Sequence, residues 1–274
     1  MRWLVLLLML VGCEKDGLTV GVASSLTDVM QDVAARHEAA TGVPVTVVAA
    51  SSGRIAQQQR AGAGYDAVVL ASTDLAAGLH ADGHVREPVP VAGNRLALIA
   101  PTGSTVGGLD DLPTLGRVAI GDPATVPAGA AAEAALRAAG LWDRLDGRLV
   151  YGGNVRAVLA YVERGEVDAG FVYATDVGHD PGATADRSAT TSQLQLRRVA
   201  GDAEPPPPEA ATQSLMGRAS SRSVPVVTVV PSDLHPPIVY AAAPASDAGV
   251  AFIDTLQNAA DLFAADGFTE PGGD

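Results

Sequence analysis

From Leu18 onward the chain alternates between two periods of apolar placement. Short continuous apolar runs at Leu18 to Val22, Val43 to Ala50, Tyr65 to Ala71, Arg95 to Ala100, Val118 to Ile120, Arg148 to Tyr151 and Val167 to Tyr173 read as buried strands. Between them lie segments whose apolar residues recur every three or four positions, such as Leu26, Val29, Met30 and Val33, or Val155, Val158, Leu159 and Val162. These predict helices with one buried face. Thr41-Gly42 and Arg164-Gly165-Glu166 stop two of the helices, and Ser72 caps a third that runs to about Ala81. Val226 to Val230 and Ile238 to Ala243 are further strands, and Asp247 is expected to cap one last helix bearing Val250, Ile253, Leu256, Ala260 and Phe263. Strand and helix in strict alternation predict an α/β chain with mainly parallel sheets covered by helices.

Two segments break the pattern. Trp3 to Val11 is almost wholly apolar, follows Met1-Arg2 and gives way at once to Glu14-Lys15-Asp16. It is too short for a stable transmembrane helix and suits the central region of an export signal. Gly178 to Ser223 is rich in Pro, Gly, Ala, Ser and Thr, with Pro205 to Pro208 in a row; it is expected to be mobile, with Gln193 to Val199 able to form one short strand.

Composition narrows the partners. The formal net charge is -13 and Lys15 is the only lysine, so the basic footprint that nucleic acid requires is missing. One cysteine excludes an internal disulfide, and five scattered histidines offer no zinc-like spacing; His80 and His84 are separated by the helix-breaking Gly83. Aromatics are 4% of the chain, so Ala, Val and Leu must fill the core. No Gly-x-Ser-x-Gly elbow and no phosphate-binding lysine loop occur, which argues against an enzyme.

Candidate chemistry lies where strands end. Ser24-Ser25-Leu26-Thr27 and Ser51-Ser52-Gly53-Arg54 each follow a strand and open a helix, so each is a plausible cap, and as a pair they can converge at the carboxyl ends of neighbouring parallel strands. Gly121 to Gly129 joins another strand to an alanine-rich helix beginning near Ala128. Alone it reads as an ordinary turn; with unpaired N–H groups and the positive end of the helix dipole behind them, it is also a site for an anion.

Taken in order, Ala23-Ser24-Ser25-Leu26-Thr27-Asp28, Ala50-Ser51-Ser52-Gly53, Gly121-Asp122-Pro123 with Val126-Pro127-Ala128-Gly129, Asn154-Val155-Arg156 and Val172-Tyr173-Ala174-Thr175-Asp176 resemble the extracytoplasmic molybdate-binding proteins of ABC transporters. Leu10-Val11-Gly12-Cys13 resembles a lipobox, with Cys13 the lipidated residue. The resemblance implies a two-lobed type II periplasmic binding protein fold, each lobe a mainly parallel sheet flanked by helices, closing on one tetrahedral oxyanion. It assigns residues 1–12 to a signal peptide, 13–93 to lobe 1, 94–224 to lobe 2 and 225–274 to the return into lobe 1. It also implies the ligand positions: hydroxyls from Ser25, Ser52 and Tyr173, and backbone N–H groups from Ala128 and Val155, with Ser24 and Arg54 as accessories. Molybdate or tungstate would be the ligand, with molybdenum held as an oxyanion, no bare metal cation and no cofactor. The partner would be an ABC permease, and the protein a monomer anchored to a membrane by its N-terminal lipid.

The chain departs from the family at Ser24, where Ala is more usual, at Gly53-Arg54 in place of a Ser-Thr-type pair, and in the length of 178–223. Every implied contact is a donor, which suits a fully ionised oxyanion and leaves the O–H of a protonated phosphate without an acceptor. Sulfate passes the same test. A sulfate-binding protein is therefore the nearest alternative; an enzyme, or a surface lipoprotein that binds nothing, lies further off. Asp122 is expected to face away from the anion.

Overall fold

The computed structural model describes residues 17–177 and 224–272, whose strands form two five-stranded sheets. The expectations for residues 1–12, for Cys13 and for the whole of 178–223, Gln193 to Val199 included, lie outside these residues. The first sheet has the order β2-β1-β3-β10-β4, built from β1 (Leu18–Ala23), β2 (Val45–Ala50), β3 (Ala67–Leu70), β4 (Val89–Asn94) and β10 (Ile238–Pro244). The second has the order β7-β6-β8-β5-β9, from β5 (Leu96–Ile99), β6 (Val118–Gly121), β7 (Leu149–Gly152), β8 (Ala169–Tyr173) and β9 (Val226–Val229).

In each sheet one strand runs against the rest. β10 is antiparallel to both β3 and β4, and β5 is antiparallel to both β8 and β9. Each reversed strand follows a crossing between lobes. The first crossing is the Asn94-Arg95 step between β4 and β5. The second falls after Val229, because β9 pairs with β5. That corrects the boundary expected at residue 225: Val226 to Val229 complete the second lobe's sheet instead of starting the return.

Helices α1 (Thr27–Thr41), α2 (Ser52–Arg60) and α3 (Thr73–Ala81) follow β1, β2 and β3, and α4 (Pro127–Ala138), α5 (Val155–Glu163) and α6 (Ala174–Val177) follow β6, β7 and β8. Their apolar faces are buried as the spacing predicts: Val29, Met30 and Val33 on α1, Val158 and Val162 on α5. Gly42 ends α1 in the left-handed conformation at φ 76°, which a residue without Cβ adopts at no steric cost.

The expected last helix is two, α7 (Asp247–Gln257) and α8 (Ala260–Ala265), and the cap of α7 is the Ser246 hydroxyl, which accepts from Gly249 N–H at 3.0 Å; Asp247 lies inside the first turn. The cap reading also fails at the first serine pair. Ser24–Leu26 form a single 3-10 turn, and no side chain caps α1.

Candidate functional site

Sheet register sets the helix starts side by side. Ala23 lies opposite Ala50 in the first sheet, so Ser24-Ser25 and Ser51-Ser52 leave neighbouring strands together. Gly121 lies opposite Gly152 in the second, which pairs the loops opening α4 and α5. These two sets of ends face each other across the lobes. Gly53 N–H donates to Thr125 O at 3.0 Å, and Arg156 at the start of α5 reaches Asp28 at the start of α1 at 2.6 Å.

The start of α4 is held down by two glycines. A Cβ on Gly129 would lie 2.0 Å from Gly121 O, and a Cβ on Gly121 would lie 2.5 Å from the Val126 side chain. Only bare backbone at both positions lets the helix begin this close to the end of β6. Pro127, in the first turn, has no N–H; Gly129 and Ala130 give theirs to Val126 O at 2.8 and 3.1 Å. That leaves the Ala128 amide without an acceptor among the described residues. At α5, the Asn154 side chain takes Ala157 N–H at 2.9 Å, which leaves the Val155 amide in the same condition. Asp122 turns back on its own loop, its Oδ1 accepting Ala124 N–H at 3.0 Å.

Three hydroxyls were expected beside these amides. Ser52 Oγ accepts Ala71 N–H at 2.9 Å, so its own proton remains to be given. Ser51, not Ser52, caps α2, accepting from Arg54 N–H at 3.3 Å. Ser25 Oγ lies 2.9 Å from Tyr240 OH. Tyr173 is 2% exposed and its hydroxyl has no hydrogen-bond partner among the described residues. Burial, with Tyr240 and Asp176 nearby, pushes its pKa well above the usual phenol value, so it stays a neutral donor.

Tyr173 lines a cavity of about 540 Å³ between the lobes, with Ala71, Ser72, Thr125, Pro127 and Ile238 among its walls. Ser25, Ser52, Ala128 and Val155 do not line it; they are buried, at most 5% exposed. Ser24 is buried too, with its carbonyl taken by the Thr27 hydroxyl at 2.7 Å. Arg54 is exposed, and its charge bears on Tyr65, whose pKa burial raises and Arg54 opposes.

The guanidinium that joins these helix starts, that of Arg156, is already engaged. Arg156 sits between Asp28 and the fully buried Asp176, with Nε 3.0 Å from Asp176 Oδ1 as an ion pair whose N–H is not aligned on that oxygen. Burial works to lower the Arg156 pKa, and the two carboxylates more than offset it. Among the described residues no three His, Cys, Asp or Glu are placed to hold a metal ion. Sequence reading missed Asn94, Tyr240 and the contacts Gly53–Thr125 and Asp28–Arg156. The polar Asn94-Arg95 step between two apolar runs was the available signal for the first.

Comparison with known proteins gives the same outline. The chain is 38% identical over 175 residues to the molybdate-binding protein ModA of Escherichia coli strain K12, covering 60% of this chain and 67% of that one. It spans about two thirds of the length of the curated relatives that it matches. Among solved structures it resembles the periplasmic molybdate-binding protein of Azotobacter vinelandii, with TM-score 0.71 and 20% identity over 93% of this chain and 99% of the other. It also resembles the sulfate-binding protein SubI of Mycobacterium tuberculosis H37Rv, with TM-score 0.64 and 16% identity over 93% and 86%. Residues 18–269 match the family model described as bacterial extracellular solute-binding protein, and the chain belongs to that family.

Proposed function

We propose that the protein captures molybdate, and tungstate with it, outside the cytoplasm and delivers the oxyanion to an ABC importer. Ser25, Ser52 and Tyr173 give hydroxyl protons to the anion, and Ala128 and Val155 give backbone N–H groups. Ser24 supports the turn that carries Ser25, while Arg54 stays in solvent. Cys13 carries the lipid that holds the protein at a membrane face, with the receptor working as a monomer. The observation that carries this reading is the Tyr173 hydroxyl, buried and without a partner beside a cleft that offers it none. Such a group costs free energy unless a ligand uses it. The similarity to a molybdate-binding protein of Escherichia coli supports the choice of anion.

An anion held by neutral dipoles inside an acidic protein depends on local preorganisation, because the mean field opposes it. Sulfate is the second reading, favoured by the same donor set and by the shared fold of a sulfate-binding protein. Parallel calorimetric titrations with molybdate, tungstate, sulfate and phosphate test both. One-site binding of molybdate and tungstate is expected; heat with sulfate and none with molybdate would transfer the assignment to sulfate, and no heat with any of the four would end the oxyanion reading.

A further inference from the structure

The Ser25 hydroxyl touches one side chain, Tyr240, and Tyr240 touches Asn94 at the crossing between the lobes. The direction of the protons along this row follows from its far end. Asn94 Oδ1 lies 2.8 Å from the backbone N–H of Arg95, which can only donate, so the amide oxygen must occupy that side. The nitrogen then faces Thr175 Oγ1 at 2.9 Å and Tyr240 OH at 3.1 Å, one N–H for each. Having accepted from Asn94, the Tyr240 oxygen keeps its own proton, because burial and the nearby Asp176 raise its pKa far above neutrality. Among the described residues the acceptor within reach of that proton is Ser25 Oγ, 2.9 Å away.

We propose that Asn94 and Tyr240 are positioning residues that fix Ser25 as a donor toward the ligand, and that this row sets the preference for fully ionised oxyanions over hydrogen phosphate. The inference rests on the oxyanion reading of the cleft. Ser25 Oγ accepts from Tyr240 and Ser52 Oγ accepts from Ala71, so each serine keeps its own proton to give to the ligand, and accepting from an acidic proton would compete with that donation. The backbone N–H of Arg95 fixes the orientation of the Asn94 amide.

Asn94→Asp reverses the row. A carboxylate has no N–H, so Tyr240 gives its proton to the new side chain, accepts one from Ser25, and leaves Ser25 with lone pairs and no proton toward the ligand. At mildly alkaline pH phosphate is the singly protonated dianion, and molybdate and sulfate are dianions as well. The added negative charge therefore weakens all three alike, and the ratio of affinities isolates the direction of the hydrogen bond. Competition titrations should show the preference for molybdate or sulfate over phosphate falling by about tenfold or more in Asn94→Asp, since one charge-assisted bond is exchanged for a repulsive contact.

Reversal requires the phenol, so in a Tyr240→Phe background Asn94→Asp should leave the ratio unmoved. An unchanged ratio in Asn94→Asp, or an equal fall with and without the Tyr240 hydroxyl, would overturn the relay while the parent protein still binds its anion. If the parent binds no oxyanion, the cleft reading itself has failed. Should Asn94→Asp not fold, Tyr240→Phe alone decides: freeing the Ser25 rotor should narrow the ratio, and an unchanged ratio overturns the proposal.

Discussion

Tyr173 and Ser52 bury hydroxyls of opposite standing. The Tyr173 oxygen has no partner among the described residues, whereas Ser52 Oγ already serves the Ala71 amide. Removing each should therefore separate binding from stability. Tyr173→Phe should weaken oxyanion binding about tenfold to a hundredfold, and raise or preserve the melting temperature of the unliganded protein, because an unsatisfied buried group is lost. Ser52→Ala should weaken binding by a similar factor and also lower the melting temperature, since Ala71 N–H loses its acceptor. Calorimetry and thermal melts on the two variants check both signs. His37, buried between Thr255 Oγ1 at 2.8 Å and the edge of Phe252, is a third case. Burial lowers its pKa from the usual 6.5. The unfolded chain therefore takes up this proton first, and the stability the residue contributes above that pH is lost as pH falls below it. Unfolding free energies between neutral and mildly acid pH should show this slope, and His37→Gln should flatten it.

At the scale of elements, α4 is fixed to β6 by bare backbone. Gly129→Ala would force a Cβ to within 2.0 Å of Gly121 O, so the start of α4 must move. The expected cost is roughly 1–3 kcal/mol of stability, together with weakened anion binding as the Ala128 amide is displaced. Denaturant melts and titration of the same variant would show the two losses together. Much of this level was legible in the sequence, because apolar runs and three-to-four spacing are local signals: the helices opening at Pro127 and Val155 lie where the pattern put them, and the one expected over Ile55 to Arg60 begins three residues earlier, at Ser52. β4 was missed for a physical reason. Pro88 and Pro90 break its signal, and proline is tolerated there because β4 is the edge strand beyond β10, with a single further bridge from Gly93 to Thr269. Caps were half legible. Ser51, Ser72 and Asn154 accept amides as such residues should, while Ser25 is held by Tyr240, a residue more than two hundred positions away that no local pattern could supply.

At the scale of the whole molecule, the proposed site draws on both lobes, and the contacts that join them were illegible for the same reason of sequence distance. Asp28 and Arg156 form a charged contact across the lobes, partly open to solvent, and Asp176 backs it from within the second lobe. Asp28→Asn leaves Arg156 paired with Asp176 and so should spare the fold while loosening closure. Small-angle scattering of the unliganded variant should give a larger radius of gyration, and titration an affinity lower by up to about tenfold with a weaker dependence on salt.

The Gly53–Thr125 bond joins the lobes through backbone alone. An amide sealed in this way is a clock. Its proton exchanges with deuterated solvent only when the lobes part, so under slow-closing conditions its exchange rate counts openings, and under fast-closing conditions it measures the fraction of time spent open. Because the donor is a glycine N–H and the acceptor a main-chain carbonyl, this reporter survives any side-chain substitution made elsewhere in the cleft, and occupancy by an anion can be followed at a single residue without a label.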